Sequence, residues 1–171
     1  SEYIGGAFRT QDGASLSISN STVSGNSASD YGGAIHHGSN GDLVIESSTF
    51  SNNTSDIGGA IRWRPNSGSA TAQLENTVCS GNEASGVGGC IAAQSGGVLE
   101  ISDNENLENT APVGGGIFAA DIEEVVARGN LFCLNSATDG DGGGALLSEI
   151  SGGDHSWTNN RMVENSATGS G

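Results

Sequence analysis

Phe50-Ser51-Asn52-Asn53-Thr54-Ser55-Asp56-Ile57-Gly58-Gly59-Ala60-Ile61 holds two short signatures that recur along the whole chain. One is a glycine pair followed by a small and then an apolar residue. It returns at Gly5-Gly6-Ala7-Phe8, Gly32-Gly33-Ala34-Ile35, Gly88-Gly89-Cys90-Ile91, Gly114-Gly115-Gly116-Ile117 and Gly143-Gly144-Ala145-Leu146. The other is a mostly apolar residue followed three places later by Asn, as in Val23/Asn26, Phe50/Asn53, Cys79/Asn82, Asn106/Asn109, Phe132/Asn135 and Met162/Asn165. Both series advance by 26 to 30 residues. A fixed period of that size marks a solenoid, in which one repeat is one coil and stacked neighbours build the core. One domain over residues 1–171 is expected, with repeats beginning near 5, 32, 58, 88, 114 and 143.

A third element precedes the Asn signature. It reads Ser15-Leu16-Ser17-Ile18, Asp42-Leu43-Val44-Ile45, Thr71-Ala72-Gln73-Leu74, Val98-Leu99-Glu100-Ile101, Glu124-Val125-Val126-Ala127 and Asp154-His155-Ser156-Trp157. Apolar residues alternate with mostly polar ones, the pattern of a half-buried strand with Leu16/Ile18 and Leu43/Ile45 facing inward. Short strands are also expected around Val23 or Phe50 and just after each glycine pair. No segment has a convincing helical period. The prediction is an all-β, right-handed parallel β-helix of six coils with three short strands per coil. At strand spacing, six coils stand roughly 29 Å tall.

Composition narrows the partners. The chain has 29 Gly but no G-X-Y triplet, and only two Pro, so neither collagen nor a disordered linker fits. Its net charge is −15 and it has no Lys, which disfavours nucleic acid and anionic membranes as partners. No apolar run reaches about 18 residues, so no membrane insertion is expected. With no starting Met or signal-peptide pattern, the sequence reads as a mature or excised segment. Cys79 and Cys90 are close enough in sequence to bridge, with Cys133 left over. Because Cys79 takes the place of Phe50 and Cys90 that of Ala34, we read them as small buried apolar residues. The glycine pairs suit sharp turns. The column Asn26, Asn53, Asn82, Asn109, Asn135 and Asn165 suits a stacked structural ladder.

These units resemble the repeat of the polymorphic outer-membrane proteins, surface adhesins of chlamydiae with Gly-Gly-Ala-Ile and Phe-x-x-Asn units on a β-helical passenger. Residues 50–61 are the closest match, and the resemblance extends over nearly the whole chain. It departs where Phe becomes Val23, Cys79, Asn106 or Met162. The resemblance implies a β-helical architecture and an extracellular or cell-surface setting more than one activity.

Residues just after the apolar residue of each glycine unit form an outward column: Arg9, His36, Arg62, Ala92, Phe118 and Leu147. His37, Trp63 and Arg64 lie beside it. Arg with Trp suits a carbohydrate or anion contact face, set against the plainer reading of an ordinary solenoid surface. Phe118 and Leu147 would form an apolar patch for a partner. Asp139-Gly140-Asp141-Gly142 offers two carboxylates for calcium but lacks the spacing of an EF-hand. Asn20 and Asn52 lie in accessible N-glycosylation sequons, whereas Asn53 belongs to the buried column.

No catalytic residues are assigned. The alternative of a polysaccharide-binding or polysaccharide-degrading β-helix needs convergent carboxylates with a base, and His36, His37 and His155 form no such set in sequence. An ice-binding face is a further alternative. Its first rank, Ser27, Thr54, Glu83, Thr110, Ser136 and Ser166, is broken by Glu83, and its second by Asp56 and Pro112. The chain spans a whole number of coils, with Ser1-Glu2-Tyr3 leading into the first and Ser170-Gly171 closing the last. Uncapped ends would allow self-association into a fibre or continuation into flanking repeats of a longer stalk. The expected function is a non-catalytic extracellular structural or adhesive module.

Overall fold

The structure, a computed structural model, describes residues 4–66, 69–152 and 155–169. Asp154 and the terminal residues Ser1–Tyr3, Ser170 and Gly171 named above lie outside the described residues. The chain winds as a right-handed parallel β-solenoid of about six turns. Every strand pairing is parallel and links one coil to the next.

Four sheets enclose the core where three were expected. Sheet I follows the glycine pairs and contains Phe8–Thr10, Ile35–His37, Ile61–Trp63, Ile91–Gln94, Ile117–Ala120 and Ala145–Ser148. Sheet II holds Leu16–Ser19, Leu43–Glu46, Thr71–Glu75, Val98–Ser102, Glu124–Arg128 and Ser156–Thr158. Sheet III holds Thr22–Ser24, Thr49–Ser51, Val78–Ser80, Glu105–Leu107, Leu131–Cys133 and Arg161–Val163. The unforeseen sheet IV follows the column Asn and contains Thr54–Ile57, Glu83–Val87, Thr110–Ala111, Ser136–Ala137 and Ser166–Ala167. Its inward residues include Ser55, Ala84, Ala111 and Ala137. These are too small to print an apolar alternation on the sequence.

The core is a set of stacked columns. Ile18, Ile45, Leu74 and Ile101 line one wall, and Val23, Phe50, Cys79 and Phe132 another, all buried. Asn106 occupies the same column as Phe50 and Phe132 and is buried with them.

Two hydrogen-bond ladders hold the corners. In the foreseen one, from Asn53 onward, each Asn Oδ1 accepts from the backbone N–H and the Nδ2 of the Asn one coil earlier. Each Nδ2 also donates to a carbonyl of that earlier coil, as Asn53 does to Val23, Asn82 to Phe50 and Asn109 to Cys79. The interior amides from Asn53 to Asn135 thereby place both polar atoms, as buried amides must. A second ladder between sheets II and III runs through Ser48, Thr77, Asn104, Asn130 and Asn160. Its residue type changes along the column, which conceals it in the sequence.

Cys79 and Cys90 form a disulfide, contrary to their reading as unlinked buried residues. Both point inward within one coil, Cys79 from sheet III and Cys90 from the glycine corner, with Cα atoms 6.1 Å apart. Where Phe50 faces Ala60, the next coil has a smaller residue opposite a larger one, and the bond fills the space. Closing an 11-residue separation is worth about 3 kcal/mol by the chain-entropy relation. Chemical denaturation with and without reductant should show a loss of that order. Cys133, on the outer face of sheet III, is free.

Candidate functional site

The glycine pair gives each coil a reversing corner. Gly58 has φ 70°, and a Cβ there would sit 2.2 Å from the Ile61 carbonyl oxygen. The first glycine of the other five corners likewise has positive φ, from Gly5 to Gly142. After such a tight turn, the outward side chains on either side of the corner approach each other. Ile4, Tyr31, Ile57, Val87 and Val113 stack as one column before the corner. Arg9, His36, Arg62, Ala92, Phe118 and Leu146 stack as another just after it. The two columns face each other across the corner.

Burial shows how closely the two columns pack. Ile61 and Trp63 belong to the hydrophobic core, so the intervening Arg62 points the other way, yet only 4% of it is exposed. His36 is 9% exposed and Ala92 is buried. Tyr31 covers them. Its ring lies 5.5 Å from the His36 ring and 6.0 Å from the Arg62 guanidinium carbon. Arg9 and Arg64 are exposed at the rim, with Arg64 Nε donating to Ser95 Oγ at 3.2 Å. Arg62 Nη1 donates weakly to the Ala92 carbonyl at 3.4 Å. Arg62 Nε and His36 Nδ1 are buried without a hydrogen-bond partner among the described residues.

The electrostatics follow from this crowding of cations. Burial first, then Arg62, Arg9, His37 and Arg64, pushes the His36 pKa down to about 4. Burial, then Arg64, pushes Arg62 down to about 10, with Tyr31 acting the other way. His36 is therefore neutral near pH 7 while Arg62 stays charged. A histidine held low in the fold and near 6.5 when unfolded supports stability above pH 6.5. That support is lost as pH falls through about 4. Thermal melts from pH 7 to 4 should show a flatter acid decline in His36→Gln than in the parent.

Several sequence expectations need correction. Trp63 does not share the contact face. It is fully buried in the core, two residues from Ile61 and hence on the same side of its strand. Gly97 makes room for it, since a Cβ there would lie 2.7 Å from the Trp63 ring. Leu146, not Leu147, continues the column of Phe118. The last corner uses three glycines, Gly142–Gly144, which moves the register by one and turns Leu147 toward the core. Phe118 and Leu146 are both half-buried.

Asp139 is exposed and Asp141 partly buried, and no group of three or more His, Cys, Asp or Glu is placed to hold a metal among the described residues. Asn20 and Asn52 are exposed at positive φ, and Asn53 is fully buried. Ser27, Thr54, Glu83, Thr110, Ser136 and Ser166 do stack in register, with Glu83 interrupting the hydroxyls. Tyr31, which sequence reading passed over, is the residue that roofs the basic recess. Its column is visible only once Ile57, Val87 and Val113 are seen to stack with it.

The Chlamydia polymorphic membrane protein (Chlamydia_PMP) repeat model matches residues 20–38 and 47–62. These two stretches are similar to the polymorphic membrane protein repeat. The two matched polymorphic membrane protein stretches contain the ladder residues Asn26 and Asn53, two glycine corners, and Tyr31, His36 and Arg62. No curated protein and no solved structure gives a significant match. No helix among the described residues is long and apolar enough to cross a membrane, which says nothing of a β-barrel.

Proposed function

We propose that this chain is an extracellular, non-catalytic display module that holds a contact face on a rigid β-helix. The observation that carries this reading is the match of residues 20–38 and 47–62 to a polymorphic membrane protein repeat, together with the basic and aromatic face those same stretches build. The Cys79–Cys90 bond supports an oxidising setting outside the cytosol. In this reading, backbone ladders and paired Asn side chains fix the spacing of that face, and Arg9, His36, Arg62, Arg64, Phe118 and Leu146 meet the partner.

The coil ends form a second contact surface in this proposal. Phe8 is 41% and Met162 52% exposed. A recess of about 660 Å³ at the first coil is lined by Phe8, Leu16, Ile18, Val23 and Asn26. Another coil, from flanking sequence or a second copy, would continue these columns by strand addition.

Beads coated with the protein test the reading on cultured cell surfaces. Attachment that falls when Arg9, Arg64 and Phe118 are replaced by Ser, Gln and Ser supports adhesion through this face. Attachment equal to that of albumin-coated beads overturns it.

A further inference from the structure

Three of the five arginines, Arg9, Arg62 and Arg64, lie with His36 on one outward strip of a chain whose net charge is −15. Such segregation needs an explanation, because burying a guanidinium costs stability unless a counter-charge accompanies it. Among the described residues, Arg62 has none. Its Nε is unpartnered, its remaining bond is a long one to the Ala92 carbonyl, and its neighbours are Arg64, Arg9, His36 and Tyr31. His36 Nδ1 is a second buried polar atom without a partner in the same recess.

We propose that the recess of Arg62, His36 and Tyr31, rimmed by Arg9 and Arg64, binds the carboxylate of an acidic sugar. A planar carboxylate matches the fork geometry of a guanidinium and would satisfy the donors that the fold leaves open. The half-buried Tyr31 ring, beside Ile57, offers an apolar face to the C–H face of a pyranose next to that carboxylate. The acidic remainder of the chain repels a polyanion, so the site favours a singly charged sugar unit over a densely charged strand. The groups facing His36 are Arg62, Arg9, His37, Arg64 and the Tyr31 ring. A bound carboxylate offsets those cations and raises the His36 pKa.

This inference rests on the reading of this face as a contact surface, and the two are separable by experiment. The intact protein is titrated by NMR with sodium glucuronate, glucose and sodium acetate at matched ionic strength. The expected result is shift changes at His36 and Tyr31 with glucuronate, binding at least about tenfold weaker with glucose and acetate, and a His36 titration midpoint moved upward.

Arg62→Met should lose glucuronate binding by at least about tenfold. It should also melt about 2–4 °C higher, because an unpaired buried charge is replaced by an apolar chain beside Ala92. A purely structural Arg62 would give the reverse, with lower melting and unchanged binding. Arg9→Gln with Arg64→Gln, both exposed, keeps the fold and should weaken glucuronate several-fold. Acetate binding as tightly as glucuronate would overturn the sugar assignment, and no shift with either would overturn the site. Bead attachment through this face that persists without glucuronate binding sinks this inference and leaves the display reading standing.

Discussion

Asn109→Leu should destabilise the protein by roughly 4 kcal/mol or more, despite replacing an amide by a side chain of similar size. Asn109 Oδ1 accepts from the backbone N–H of Asn82 at 3.0 Å and from its Nδ2 at 2.9 Å. Its own Nδ2 donates to the Cys79 carbonyl at 2.9 Å and to Asn135 Oδ1 at 3.0 Å. Leucine strands the Asn82 N–H, one Asn82 amide hydrogen and a lone pair on Cys79, all in a buried corner where water cannot substitute. Each such orphan costs about 1–3 kcal/mol. Asn26→Leu provides the comparison. Asn26 is half-buried in the first ladder position, and donates without accepting from another Asn. The same change there should cost only about 1 kcal/mol. Urea midpoints of the two variants check the contrast, and equal losses would mean the ladder is not cooperative.

Gly59→Ala should be at least as damaging, at about 3 kcal/mol or more, with failure to fold an expected extreme. Here the barrier is space. An added Cβ would lie 2.2 Å from the Gly89 carbonyl oxygen and 2.7 Å from the backbone of Glu83. Both obstacles are main chain, one in the next coil's corner and one in the strand that crosses beneath it. Neither can rotate away, so the coils would have to part. Gly25→Ala separates this effect from backbone strain. Gly25 has φ 66° but open space around it, so alanine there meets only the left-handed penalty of roughly 1–2 kcal/mol. A Gly59→Ala protein as stable as Gly25→Ala would show that the corner can widen.

These two positions also mark what the sequence made legible. Gly59 and Asn109 stand out because a stack in register demands the same residue at the same place in coil after coil. The core columns of Ile, Leu and Phe were readable for the same reason. Sheet IV was hidden because Ala84, Ala111 and Ala137 carry too little apolar area to register as a strand. The second ladder was hidden because a hydroxyl at Ser48 or Thr77 does the work of an amide at Asn104 or Asn130. The disulfide required seeing that two departures from the repeat, at positions 79 and 90, face each other inside one coil. The candidate site was half readable. Arg9, His36 and Arg62 shared a column in the sequence, but the column's depth came from Tyr31, which precedes the corner and meets them only because the glycines fold it back.

The bond between Cys79 and Cys90 has a mechanical consequence. A β-solenoid pulled by one end of its chain sheds its turns one after another, like rope from a drum, because each turn is held mainly by the next. The disulfide lies within one turn, so it does not tie turns together and does not prevent this peeling. It does close a loop over a sequence separation of 11 residues, which then cannot be drawn out. At about 3.4 Å per residue, the oxidised chain reaches its limit about 30 Å sooner than the reduced one. That turn thus carries a stop that lets the rod stretch under load without paying out its full length.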